Sequence, residues 1–243
     1  MPAGMEMTGA GPDARGKGND GSRAKRPRGY MIEPDRKEVL RYMGCRGGCS
    51  PELSAAIDDA VRELQRLVSP RRVYKSFEIE WNADGSFDIG SMHVVSRDLA
   101  KNLRGCRSCC LMAATLGLAP DHLIRRSQIT DITRTLIYQA VSASMIEKYC
   151  DSVNLEIKKL EDGRFCRPRF SPGYGDFSIE YQRDFARLLQ MSKTIGINLT
   201  ESLMMMPSKS VTAVIGVSDT DSGCPVQGCE LCSKKDCAFR RPE

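Results

Sequence analysis

Between residues 130 and 161 apolar side chains return every three or four positions. Ile132, Leu136, Ala140, Ala143, Ile146, Cys150, Val153, Ile157 and Leu160 form one stripe, which predicts a long amphipathic helix. At 100° per residue Glu147 projects into that stripe. A carboxylate there needs an arginine, a ligand ammonium or a water-lined cleft, because burying an unpaired charge is costly. Asp131 and Asp151 fall near the other flank and call for no such partner. A second helix begins at Ser50-Pro51, an N-cap followed by proline at the first helical position, and carries Leu53, Ile57, Val61, Leu64 and Val68 at helical spacing. Shorter helices are predicted from Glu38 to Met43, closing at Gly44, and from Ser96 to Leu103. Another runs from Ser178 to Gln190, with Asp176 or Ser178 as its N-cap and Phe185, Leu188 and Leu189 facing inward.

The pattern switches to aromatic and β-branched residues at Val73, Tyr74, Phe77, Ile79 and Trp81. It turns at Asn82-Ala83-Asp84-Gly85 and resumes at Phe87-Asp88-Ile89, which predicts a hairpin. The run from Cys109 to Gly117 is apolar throughout, as expected of a strand buried on both faces. Val211 to Val217 reads as a late strand after the loop Pro207-Ser208-Lys209-Ser210. Met204, Met205 and Met206 read as core filler.

Composition changes this picture at the ends. The 243 residues are 41% hydrophobic and 28% charged, enough for one substantial core or two small ones. Residues 1–29 are rich in Gly, Pro, Lys and Arg without apolar period and read as a disordered basic leader, residues 30–218 as the folded domain, and residues 219–243 as a cysteine-rich tail. No apolar run reaches the roughly 18 residues of a membrane span, and no secretory signal is visible, so the sequence predicts a cytoplasmic protein. The formal charge of +5 is concentrated at the ends. The nearly balanced middle argues against nucleic acid as the partner.

Without an export signal, eleven cysteines point to reduced thiols or metal ligands before disulfides. Cys45 and Cys49 supply too few ligands for a metal and read as packed or solvent-exposed, and Cys106, Cys109 and Cys110 accompany the buried strand as small hydrophobes. The tail differs. Cys224, Cys229, Cys232 and Cys237 place four thiols in fourteen residues of hydrophilic chain, a set that fits tetrahedral zinc or a 4Fe-4S cluster, and spacing does not separate the two.

The stretch from Arg169 to Asp176 joins a cation, a Pro172-Gly173 turn and an aromatic, Tyr174, in a form suited to cradle a small zwitterion. With it belongs a second block, Leu199-Thr200-Glu201-Ser202, then Met205, Pro207, Ser210 and Val211. Together, Arg169-x3-Gly173-Tyr174 and this block resemble the activation domain of cobalamin-dependent methionine synthase in a short, free-standing form. Ile146-Glu147 and Cys150-Asp151 of the long helix are similar too, so the resemblance covers about Lys37 to Val217.

The resemblance implies an α+β fold, an antiparallel or mixed sheet packed with long helices. It implies a domain that binds S-adenosylmethionine and presents it to cobalamin on a partner, a methionine synthase or other corrinoid protein. The partner's cobalt is first reduced by one electron, with flavodoxin or ferredoxin as the implied donor, and then methylated. Arg169 would hold the methionyl carboxylate and amides near Ser171 and Gly173 would bind the ligand. Tyr174 would pack near the sulfonium, and Glu147 would receive the ammonium. The family's Gly-Tyr-Pro is Gly173-Tyr174-Gly175 here, its upstream ligand-binding aspartate has no counterpart, and the contacts to adenine and ribose are unassigned. The tail is foreign to the large enzyme's domain and leaves a second reading, an iron–sulfur electron-transfer protein that reduces a corrinoid partner.

Overall fold

The computed structural model describes residues 31–45 and 49–220. In chain order the elements are α1 (Arg36–Tyr42), α2 (Pro51–Leu67), β1 (Arg71–Trp81), β2 (Phe87–Ile89), β3 (Met92–Val94), α3 (Arg97–Asn102), β4 (Ser108–Thr115), α4 (Ala119–Thr130), α5 (Ile132–Leu160) and β5 (Phe165–Cys166). A short 3-10 turn (Ile179–Tyr181) then leads into α6 (Gln182–Leu188), α7 (Met191–Ile195), β6 (Asn198–Leu199), β7 (Met205–Met206) and β8 (Ser210–Ser218). The fold class is α+β, as the sequence led us to expect. Among the described residues no helix is long and apolar enough to cross a membrane.

Six strands form one antiparallel sheet in the order β3-β2-β1-β4-β8-β5, with β6 and β7 paired separately. The central strands β4 and β8 explain why their sequences lack polar alternation. Cys110, Met112 and Ala114 of β4 point into a core built with α1, α2, α4 and α5, whereas Cys109, Leu111 and Ala113 point into a second core with α3, α6, α7 and the β2-β3 hairpin. Both faces are covered, so β4 is apolar from Cys109 to Ala114 and β8 from Ala213 to Val217. Cys106, Cys109, Cys110 and Cys150 are buried free thiols, while Cys45 and Cys49 are free and half-buried, with Cys49 packed on the helical core.

Local chemistry sets the helix ends. Ser50 accepts from the Leu53 amide to start α2, and Asp131 both ends α4 and caps α5 by accepting from the Arg134 amide at 2.9 Å. The stripe predicted for α5 is correct from Ala140 to Ile157 and wrong at both ends. Leu160 is exposed at the C-terminus. At the N-terminus Ile132 and Leu136 are exposed, and Thr135, Ile137, Tyr138 and Val141 are buried in their place. Helix α4, which the sequence reading passed over, packs back on α5 at this end and selects the neighbouring face. The helix predicted from Ser178 to Gln190 is broken into a 3-10 turn, α6 and α7, with Gln190 at φ 49 between the last two. Its cap is Ser178, whose hydroxyl accepts from the Glu180 amide. Met204 and Met206 are exposed rather than core residues, because the short β6-β7 pair lifts their hairpin off the sheet.

Gly216 lies at the middle of the second core. A Cβ there would sit 2.7 Å from Leu103 Cδ2, 2.8 Å from Cys106 Sγ and 2.9 Å from Arg167 Cγ. Gly216→Ala is therefore expected to lower stability by about 1–3 kcal/mol through overpacking, read as a shift of the urea midpoint at constant slope.

Candidate functional site

A cleft of about 560 Å³ runs along α5, walled by the start of β8, the loop from Pro168 to Ile179 and the hairpin around Met204. Residues from both sequence blocks reach it. Arg169, Ser171, Pro172 and Tyr174 come from the first, and Leu203, Met204, Met205, Ser208, Ser210 and Val211 lie within or directly beside the second.

The first block is held by a short antiparallel bridge in which the Phe170 amide donates to Val214 O at 2.9 Å and the Val214 amide donates to Phe170 O at 2.8 Å. Phe170 is fully buried in the second core. Alternation along extended backbone then sends Arg169 to the opposite side, toward α5. Its guanidinium is 15% exposed and spans two carboxylates, Nη2 at 2.9 Å from Glu147 Oε2 and Nη1 at 3.1 Å from Asp151 Oδ1. Glu147 thus has the partner its sequence position demanded. Asp151, which the sequence reading had set aside, shares that partner because residues four apart lie on one helix face.

One guanidinium between two carboxylates gives this trio one carboxylate more than it has cations, and Arg41 elsewhere on the lining balances the cleft. Cys150, buried beneath them, is no nucleophile. Burial pushes its thiol up to about 12; Arg169 acts against this, while Glu147 and Asp151 add to it.

Tyr174 is 52% exposed at the cleft and meets Phe170 edge to face, with ring centroids 6.1 Å apart. The Gly173 amide, expected to face the ligand, instead donates to Phe177 O at 2.7 Å, and the Tyr174 amide donates to Ser171 O at 3.1 Å. The turn uses these donors to close on itself, with Gly173 at φ 93° and not among the residues that line the cleft.

The loop is anchored from outside by Asp176. Its carboxylate receives the Ser96 hydroxyl at 2.5 Å, the Arg97 amide at 2.8 Å and the Asp98 amide at 3.1 Å, and the Asp176 amide donates to Asp98 Oδ2 at 3.3 Å. Asp176 therefore braces the start of α3 and not the helix that follows it in sequence. Burial pushes its pKa up, but the hydrogen bonds from Ser96, Arg97 and Asp98 outweigh that and hold it below the usual carboxylate value. A depressed carboxylate stabilises the fold fully above the unfolded value near ~4 and loses that contribution as pH falls through the folded value. Asp176→Asn is accordingly expected to flatten the acid limb of stability against pH, and Asp176→Ala to cost about 1–2 kcal/mol near neutrality, both measurable by urea unfolding between acid and neutral pH.

Thr200, Glu201 and Ser202 of the second block are not among the cleft residues. Thr200 builds the hairpin tip, where its hydroxyl accepts from the Met204 amide at 3.1 Å and lies 3.0 Å from the Ser202 hydroxyl. Ser208 lines the cleft with its amide donated to Asp121 Oδ2 at 2.9 Å. Cleft residues missed from the sequence are Asp151, Asn154, Arg41 and Tyr42. The first two were within reach of helical spacing from Glu147. The last two arrive only through the packing of α1 on α5. Cys224, Cys229, Cys232 and Cys237 lie outside the described residues, and among the described residues no three His, Cys, Asp or Glu side chains group as a metal site.

Residues 136–224 match the family model of the vitamin B12 dependent methionine synthase activation domain, a span that includes most of α5, the Arg169 loop and β8. Among solved structures, the MetH reactivation domain bound to AdoHcy is similar with a TM-score of 0.53 at 17% identity, over 79% of this chain and 79% of that one. The two share a fold. No curated protein matches the chain. Family model and fold both agree with the resemblance carried by the sequence blocks.

Proposed function

We propose that this chain binds S-adenosylmethionine in the α5-β8 cleft and presents its methyl group to a corrinoid carried by a partner, so reactivating a cobalamin-dependent methionine synthase. The observation that carries the reading is convergence. Glu147 and the two motif blocks, separated along the chain, wall one cleft around Arg169. Its volume falls within the range of about 300–1,000 Å³ common for small-molecule sites.

Arg169 offers a planar donor pair to the methionyl carboxylate, and Glu147 and Asp151 offer acceptors to the ammonium. A corrinoid on the partner supplies the reduced cobalt nucleophile that takes the methyl group, and the donor leaves as a neutral thioether. This chain's task is alignment, and no side-chain base is needed. Exposed Tyr174, Ile179, Met204 and Met206 rim or adjoin the cleft, with Leu118 and Met206 beside it over a further hollow, an apolar border suited to a docking partner.

Titration calorimetry of the purified chain with S-adenosylmethionine tests the reading, and no detectable heat of binding at millimolar ligand would sink it. A synthase stalled as cob(II)alamin and lacking its own activation domain is expected to regain methylcobalamin absorption only when the chain, the methyl donor and a one-electron reductant such as reduced flavodoxin or ferredoxin are all present.

The cysteine tail keeps the second reading open to measurement. Iron with sulfide, and a visible band that bleaches on reduction, would make the tail an electron relay to the corrinoid. One zinc in colourless protein would make it a structural clip.

A further inference from the structure

Glu147, Asp151 and Asn154 stand at i, i+4 and i+7 of α5 and all line the cleft. By helix geometry they lie within about 60° of one another and extend over roughly 10 Å of the axis, a distance suited to a methionyl group joined to a nucleoside. The first two share Arg169. The third is different: Asn154 Oδ1 is buried and has no hydrogen-bond partner.

A buried amide oxygen stripped of water and left unpaired is unfavourable unless a ligand donor completes it. Other polar groups of the lining are already engaged, Ser208 with Asp121, Ser210 with Pro207 O and Thr115, and Thr212 with Gln182. The cleft that Asn154 lines also carries flat surfaces. The Arg41 guanidinium lies 4.5 Å from the centre of the Tyr42 ring, and its charge is met by Glu38 at 2.6 Å. The Arg41-Tyr42 corner and Pro168 both line the cleft and offer it surfaces suited to an aromatic base.

Resting on the reading that the cleft holds S-adenosylmethionine, we propose that the nucleoside end lies between Asn154 and the Arg41-Tyr42 corner, where Asn154 Oδ1 accepts a hydrogen bond from the adenine amine or a ribose hydroxyl. Asn154 is then a specificity-determining residue. It reads a nucleoside donor, while Arg169, Glu147 and Asp151 read the amino-acid end.

The test is calorimetry of the full chain with S-adenosylhomocysteine, S-inosylhomocysteine, which replaces the amine with a carbonyl, and a 2′,3′-dideoxyribose analogue. The wild type is expected to bind S-adenosylhomocysteine about tenfold or more tightly than one of the two analogues. Asn154→Leu is expected to lose a similar factor on S-adenosylhomocysteine and to lose the discrimination, while Asn154→Asp, which keeps an acceptor, retains the discrimination. Circular dichroism checks that the variants fold.

Equal binding of all three compounds by the wild type overturns the inference alone, a result that does not require the leucine variant to fold. Unchanged discrimination in a folded Asn154→Leu chain overturns it as well. A wild type that binds neither S-adenosylmethionine nor S-adenosylhomocysteine overturns the functional reading itself.

Discussion

Arg169→Ala is expected to weaken S-adenosylmethionine binding by about ten- to a hundredfold, the worth of a charge-assisted hydrogen-bonded pair. The loss arises twice. The ligand carboxylate is left without its cation, and Glu147 and Asp151 face it uncompensated. Those two carboxylates are 36% and 55% exposed, so water relieves them in the unliganded variant and the cost to stability is expected to stay within about 1 kcal/mol. Calorimetry beside urea unfolding separates the two effects, and an affinity loss that merely tracks unfolding would count against the assigned role. Arg169→Lys should recover only part of the affinity, because a point charge does not reproduce the planar fork.

A larger loss of stability is expected at Gly175. It sits at φ 53, and a Cβ there would lie 2.1 Å from Asp98 Oδ2. Alanine pays about 1–2 kcal/mol for the left-handed backbone, and it displaces the carboxylate that accepts from the Asp176 amide, for a total of about 2–4 kcal/mol in urea unfolding. Combining Gly175→Ala with Asp98→Ala removes the carboxylate overlap and leaves the backbone cost, a Cβ contact at 3.0 Å and the lost acceptor of the Asp176 amide. Equal stabilities for the single and double variants would refute the steric account. This geometry also accounts for glycine as the last residue of Gly173-Tyr174-Gly175. A proline's φ near −65° is incompatible with the close crossing of the Asp98 and Asp176 segments.

Periodicity and composition reached far into this chain. The lengths of α2 and α5, the β1-β2 hairpin and the doubly buried β4 were legible because each depends on a local pattern of apolar residues around a single element. So was the demand that Glu147 find a partner, which follows from a charge on an apolar stripe. Short elements such as β3, β5, β6 and β7 were not legible, since two or three residues carry no period and exist only where a neighbour supplies hydrogen bonds.

The division is clearest at the site. The sequence by itself determined which residue types belong to the binding chemistry: a cation before a Pro-Gly turn, an aromatic after it and a carboxylate on a long helix. Tertiary structure decided their partners. Arg169 is shared between Glu147 and Asp151 only because the Phe170-Val214 bridge turns it toward α5. Asp176 caps a helix some 80 residues earlier only because two loops cross. Asn154 Oδ1 is a buried acceptor without a partner, which no pattern along α5 announces. Hydrophobic period is a property of neighbours along a chain, whereas charge pairing and the burial of a polar atom depend on which distant segments meet.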